Sequence, residues 1–387
     1  MFSSRLQADL RPNPLTVLLE EKRRAGAKIL DLTESNPTQA GLRYPEAEIL
    51  EALGDPRAMR YYPAPAGMRS AREAVAAYYA ERGEAVRVED ILLTSGTSEA
   101  YALLFKLLCD PGDEVLVPRP SYPLFDYLAA MESVEVKRYP LRYAGRWSID
   151  FEALETAIGP RTRAIVVVHP NNPTGSFVKR DERARLDGIC AGRGIALLAD
   201  EVFLDYELGS DEARAGSFAT GGEVLTFAMS GLSKVAALPQ MKLGWIVVGG
   251  EERRRREAFE RLEWIADTYL SVGAPVQCAA PRLLELRGKM QREIRRRVEG
   301  NWAELRGALG GESPARALDA DGGWYATVEV PRIRSEEEWA LGLLRDHDTL
   351  VQPGYFFDFE REAFLVMSLL SRGEDFAEGL RRFSSMV

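Results

Sequence analysis

Lys234 lies in the run "FAMSGLSKVAALPQMKLGW" (227–245), where an apolar stretch delivers a single lysine into a turn of small residues. An amine placed there can form a Schiff base with a carbonyl group. Four polar stretches precede it, each ending a run that reads as a strand: "TSGTSEA" (94–100), "RPSYP" (119–123), "HPNNPTG" (169–175) and "ADEVF" (199–203). In the first, the strand meets a helical pattern, so the amides of Gly96, Thr97 and Ser98 and two hydroxyls can face an anion at a helix N-terminus. Asp200 ends an apolar strand, where a carboxylate is costly unless it meets a positive partner. Taken singly, each has an ordinary reading as a solvated lysine, a helix N-cap or a capping acid.

The elements that would position these residues form an α/β pattern. From about residue 91 to 250, short β-rich runs alternate with helical ones: "ILLTSG", "DEVLVPRP", "VEVKRYPL", "AIVVVHP", "IALLADE", "EVLTFAM" and "GWIVVGG". Such alternation predicts a three-layer α/β/α domain with a mostly parallel, seven-stranded sheet covered by helices on both faces. Ligands of such sheets bind at the carboxyl ends of the strands, where the polar stretches fall. The helical run "SEAYALLFKLLC" (98–109) sets Leu103, Leu104, Leu107 and Leu108 on neighbouring turns for the core. After residue 250 come charged helices and then "GGWYATVEV" (322–330), "TLVQPGYFF" (349–357) and "AFLVMSLL" (363–370), which suggest a smaller α/β domain.

Composition narrows the function. A chain of 387 residues with 46% hydrophobic content can bury a large core. Its apolar runs fall far short of the roughly 20 residues that span a bilayer. The opening "MFSSRLQADLRPNP" has no apolar core of the signal-peptide kind, so a cytoplasmic protein is expected. Cys109, Cys190 and Cys278 show no metal spacing and read as buried free thiols. With only His169 and His347, neither a metal site nor a histidine triad is expected. A formal charge of -9 argues against nucleic acid. The basic runs "EERRRREAFERLEW" (251–264) and "QREIRRRVEG" (291–300) read as solvated helix faces with i,i+4 ion pairs.

The five stretches around Lys234, in this order, resemble the class I/II aminotransferases, the pyridoxal-phosphate (PLP) family with the aspartate aminotransferase fold (fold type I). The resemblance runs from "LTESNPT" (32–38) to the C-terminal helix. It implies an N-terminal arm and part of a small domain over 1–45, a large PLP-binding domain over 46–280 and the rest of the small domain over 281–387. Lys234 would hold PLP as a Schiff base and carry a proton at the substrate Cα. Asp200 would face the pyridine nitrogen, Asn172 would donate to the ring hydroxyl oxygen and contribute to substrate binding, and Tyr122 would lie on the ring face. Gly96, Thr97, Ser98, Ser233 and Lys242 would hold the phosphate, with Ser230 aligning less well than Gly231. Tyr62, in "YYPAPAG" (61–67), matches a tyrosine that reaches the neighbouring subunit's phosphate, which implies a homodimer. The implied reaction is ping-pong transfer of an amino group between an amino acid or related amine and a keto acid.

Several positions depart from the family pattern. Lys242 stands where arginine is usual; it keeps the charge without the bidentate fork. Phe203 replaces a tyrosine that donates to the ring hydroxyl oxygen, with Tyr206 as a possible substitute. Val366 or Met367 falls where an arginine grips the α-carboxylate, and Arg372 follows a few residues later. Ser35 and Asn36 take the region of a usual glycine, with Asn36 as a substrate-binding candidate. β-Elimination, decarboxylation or oxidation on the same cofactor residues is the alternative chemistry, and a non-catalytic PLP sensor is the alternative class.

Overall fold

The computed structural model describes residues 2–5 and 11–387. Met1 and residues 6–10, which belong to the expected N-terminal arm and to the stretch read for a leader, lie outside the described residues. The first strand, β1 (Leu30–Asp31), is two residues long and finds its partner near the C-terminus.

The main sheet comprises β2 (Ile91–Thr94), β3 (Glu114–Arg119), β4 (Glu135–Tyr143), β5 (Trp147–Ile149), β6 (Thr162–Val168), β7 (Ala196–Asp200), β8 (Thr226–Gly231) and β9 (Gly244–Gly249). Their order is β2-β9-β8-β7-β6-β3-β4-β5. Neighbours from β8 through β7, β6 and β3 to β4 are parallel, while β9 runs antiparallel to β2 and β8. Each of the seven expected strands is present, and the sheet has an eighth. The addition, β5, folds back antiparallel on β4 after a turn at Gly145 (φ 81°). At three residues it is too short to show a period of its own.

The strands read as unbroken apolar runs because both faces are buried. Alternate side chains enter two different cores. Leu116, Ile165, Val167, Leu197, Ala199 and Trp245 point to one, and Val115, Val117, Val166, Leu198, Phe227 and Ile246 to the other. The second core is covered by the helices Thr97–Leu108 and Glu252–Tyr269. Leu103 and Leu104 are buried there, and Leu107 and Leu108 pack at its margin.

The C-terminal part holds β10 (Arg316–Ala317), β11 (Tyr325–Glu329), β12 (Thr349–Leu350), β13 (Gln352–Pro353) and β14 (Phe364–Ser368). Four of these form an antiparallel sheet in the order β10-β11-β14-β13. β12 pairs in parallel with β1, which ties the N-terminal segment to this part of the chain. The helix Ala274–Ala308, 35 residues long, runs unbroken past position 280 and packs from Val276 to Leu305 against the first core.

Two sequence readings need amendment. Cys190 and Cys278 are buried and free, but Cys109 is half-buried at a helix end. The run 251–264 carries the expected i,i+4 pairs, Arg261 with Glu257 at 2.7 Å and Arg256 with Glu260 at 3.8 Å. The run 291–300 carries none among the described residues, because Glu293 turns to accept the backbone N–H of Arg43 at 3.0 Å. No helix of the described residues is long and apolar enough to cross a membrane, and no His/Cys/Asp/Glu cluster suited to a metal occurs among them.

Candidate active site

The strands β2, β6, β7 and β8 all end on one edge of the sheet, and the loops that leave them enclose a cavity of about 240 Å³. Ten of the expected residues line it: Gly96, Thr97, Ser98, Tyr122, Asn172, Asp200, Phe203, Ser233, Lys234 and Lys242. Stretches separated by up to 146 positions in sequence thus meet at the carboxyl ends of strands, as doubly wound sheets require.

One end of the cavity is an anion cradle. Gly96 caps the N-terminus of the helix Thr97–Leu108 with φ 132°, a conformation that disfavours any side chain. The amine of Lys242 lies 3.8 Å from where a Cβ on Gly96 would stand. A Cβ on Gly244 would fall 2.9 Å from Gly96 Cα, and one on Gly231 2.9 Å from the Leu243 carbonyl oxygen. These glycines let two strands and a helix start converge. Lys242 itself has φ 51°, in the left-handed region that non-glycine residues seldom adopt.

The opposite end is acidic. Asp200 is buried and accepts from the Tyr101 hydroxyl at 3.1 Å and from the Val202 N–H at 3.2 Å. Burial raises its carboxyl to about 6, against the pull of these two donors and of Lys234. Its neighbour Glu201 serves the other side of the strand, bound to Ser217 Oγ at 2.7 Å and to the Phe218 N–H.

Between the two ends stands Lys234, on the one-turn helix Leu232–Val235. The residue is half-buried in the cavity wall, and its amine faces aromatic rings. Nζ is 4.9 Å from the Trp324 ring centroid and 5.5 Å from that of Phe203. Desolvation there lowers the amine to about 8, although Asp200 pulls the other way. Three donors from distant segments hold the carbonyls of this turn. Tyr206 OH donates to Lys234 O at 2.6 Å, Gln291 Nε2 to Val235 O at 2.7 Å and Tyr44 OH to Ala237 O at 2.8 Å. Tyr206 is therefore committed to the backbone and does not take the place of a tyrosine at 203. Phe203 is buried edge-on against Trp324, with ring centroids 5.3 Å apart.

Asn172 is buried, and its Oδ1 has no hydrogen-bond partner among the described residues, an orphaned acceptor on the cavity wall. The adjacent Asn171 knits the turn, accepting from Ser121 Oγ at 2.8 Å and donating to Pro120 O at 3.0 Å and Thr174 Oγ1 at 2.9 Å. Tyr122 stands edge-on to Phe125, 6.0 Å between centroids.

Other expected residues lie elsewhere. Asn36 is half-buried and closes its own turn, accepting from Thr38 N–H at 3.1 Å and Thr38 Oγ1 at 2.8 Å. It does not line the cavity; Ser35 comes closer, through a hydrogen bond with the lining residue Tyr325. Tyr62 is 63% exposed, outside the cavity of its own chain. Ser230 is buried below the floor, 3.5 Å from Glu201 O. Val366 and Met367 are buried in β14, paired with Thr327 and Ala326. Arg372 precedes the helix Gly373–Met386 and lies against Gly41 rather than in the cavity. Sequence reading missed Tyr101, Tyr325, Trp324, Tyr44 and Gln291. Only Tyr101 carried a signal, one helical turn after the anion-binding stretch.

A lysine facing a buried aspartate beyond an anion cradle, on the carboxyl edge of a doubly wound sheet, marks a family. The chain belongs to the aminotransferases of class I and II, whose family model matches residues 27–374. Among its relatives, the glutamate-pyruvate aminotransferase AlaA of Escherichia coli is 31% identical over 266 residues, covering 68% of this chain and 65% of that protein. The chain thus matches just under two thirds of that protein's length. AlaA of Haemophilus influenzae is 26% identical, over 95% of this chain and 92% of its own length. A solved aminotransferase from Escherichia coli superposes with a TM-score of 0.86 at 26% identity, covering 100% of this chain and 98% of that one.

Proposed function

We propose that the protein is a PLP-dependent aminotransferase moving an amino group between an amino acid or related amine and a keto acid in two half-reactions at one site. The observation that carries this reading is the pairing in one cavity of an amine lowered to about 8 with a buried carboxyl raised to about 6. The residues fit the cofactor. The cradle at Gly96, Thr97, Ser98, Ser233 and Lys242 suits a phosphate, the N–H groups of the Asn172 side-chain amide on the cavity wall suit the ring hydroxyl oxygen, and the Tyr122 ring suits a pyridine face.

When bound, the cofactor supplies an aldehyde carbon that carries the amino group and a ring that accepts electrons from the substrate. Lys234 in its neutral form acts as nucleophile, then takes the proton from the substrate Cα. Asp200 holds a proton on the ring nitrogen by ion pairing, and Tyr101 and Val202 favour its ionised form. Trp324 and Phe203 keep water from the lysine amine. The domain division follows the same reading: 46–280 binds the cofactor, while 1–45 and 281–387 form the small domain, a grouping supported by the β1–β12 pairing. So does a homodimer in which Tyr62 serves the partner's cradle, supported by the exposure of Tyr61 and Tyr62. A cytosolic setting accords with the free thiols Cys109, Cys190 and Cys278.

Among the described lining residues both cations are lysines and none is an arginine. This favours a second reading of the substrate, an amine without the usual carboxylate grip. Product analysis separates the possibilities. Amino transfer needs an added keto acid, elimination releases ammonia without one, and a panel with and without carboxylates reports the donor. Turnover with no acceptor present would contradict the transferase reading.

A further inference from the structure

The run 291–300 is basic, lies outside the active site and lacks the ion pairs its spacing predicts. Arg292, Arg296 and Arg297 of the helix Ala274–Ala308 face Arg43 of the N-terminal segment across an open cleft of about 760 Å³. Among the described residues none of these four arginines makes an ion pair within 4.0 Å, whereas in the helix 252–269, which carries as many acidic residues as arginines, Arg255, Arg256 and Arg261 are all paired. Among the described residues that line the cleft, Glu293 is the one carboxylate, and it already accepts the Arg43 backbone N–H. Lys289, on the same wall, is paired with Glu48.

A fifth guanidinium closes one end. Arg372 lies so close to Gly41, another wall residue, that a Cβ there would stand 2.8 Å from its Nε. Gly41 has φ 72° and leaves the backbone bare for the contact. Arg297 is anchored rather than loose: Nη1 donates to Ala40 O at 2.8 Å and to Leu370 O at 3.3 Å. Burial lowers its pKa, and the charges of Arg372 and Arg296 lower it further, against Glu293. Five arginines gathered around a single carboxylate, Glu293, leave an excess of like charge that repels, in a chain whose formal charge is -9. Guanidinium forks suit the oxygens of phosphate and carboxylate groups.

We propose that this cleft binds a small multivalent oxyanion, a metabolite bearing phosphoryl groups or several carboxylates, between the N-terminal segment and the long helix. An anion there draws Arg43 toward Arg292 and Arg296 and stiffens the segment that holds Ser35 on Tyr325, at the cavity wall. The same helix presents Gln291 to the carbonyl beside Lys234. Occupancy therefore bears on the active site from two sides. The proposal does not depend on which reaction the cavity performs.

Calorimetry on PLP-saturated protein at fixed ionic strength tests it, with pyrophosphate and citrate as probes to separate phosphoryl from carboxylate recognition. Saturable binding of at least one probe is expected, weakened at least tenfold in the double variant Arg292→Ser/Arg296→Ser. It should be unchanged in the control Arg256→Ser/Arg261→Ser. Binding at the Gly96 cradle would survive the first double substitution, so survival overturns the proposal. No saturable heat from either probe overturns it too, as does a change of oligomeric state in the double variant without anion binding, which would make the patch an interface.

Discussion

At the scale of residues, Lys234 and Asp200 are tuned by the same cause, burial, which pushes an amine down and a carboxyl up. The rate at which apoprotein captures PLP, followed by stopped-flow absorbance, should therefore rise with pH through about 8 and level off above it. PLP affinity should fall as pH drops below about 6, where Asp200 takes up a proton. Folding raises the Asp200 pKa from 3.8, so the folded chain holds that proton to higher pH than the unfolded one. The site thus costs stability progressively as pH climbs from about 4 to about 6, and the cost persists above. Asp200→Asn should accordingly leave the apoprotein melting temperature at pH 8 equal or higher. It should weaken PLP binding by about 100-fold or more, the scale of losing one partner of a buried ion pair. A melting temperature that falls along with affinity would make Asp200 structural. Phe203→Tyr adds a donor where Tyr206 cannot reach, since Tyr206 is bound to Lys234 O. The visible absorbance of the PLP-loaded variant should titrate at lower pH than that of the parent, and identical titrations would refute this.

At the scale of elements, what positions Lys234 is a one-turn helix too short to be stable by itself. Tyr206, Gln291 and Tyr44 clamp its carbonyls from three parts of the chain. Tyr206→Phe removes the shorter of the two hydrogen bonds to Lys234 O and leaves the one from the Ala237 N–H at 3.2 Å, a loss of about 0.5–1.5 kcal/mol by chemical denaturation. It should also slow PLP capture, whereas a merely structural role would leave that rate alone. The strands were legible because burial on both faces writes an unbroken apolar run, as in "AIVVV" of β6. β5 was not, since three residues cannot show a period. The clamp was not, because nothing local ties positions 44, 206 and 291 together. The basic run 291–300 was misread for a related reason: helical spacing says which side chains can meet, yet Glu293 found a better partner in the Arg43 N–H.

At the scale of the whole molecule, polar stretches at strand ends pointed to the carboxyl edge of the sheet, and ten expected residues do meet there. Two that do not, Asn36 and Tyr62, sit on loops whose positions depend on tertiary or subunit contacts rather than on local pattern. Tyr62 is 63% exposed in the single chain, and in the proposed homodimer a second subunit would supply its surroundings. Tyr62→Phe should weaken PLP binding by about tenfold, one hydrogen bond to a charged group, with the dimer mass by light scattering unchanged. Retained affinity in a dimer would remove Tyr62 from the cradle, and a monomeric parent protein would remove the dimer itself.

The covalent role proposed for Lys234 underlies the functional reading of the cavity. Borohydride reduction of the PLP-incubated protein, followed by peptide mass mapping, addresses it directly. One pyridoxyl group per chain on the peptide containing Lys234, and none in Lys234→Ala, is the predicted result. An unlabelled Lys234 peptide, or label on another lysine, would contradict it.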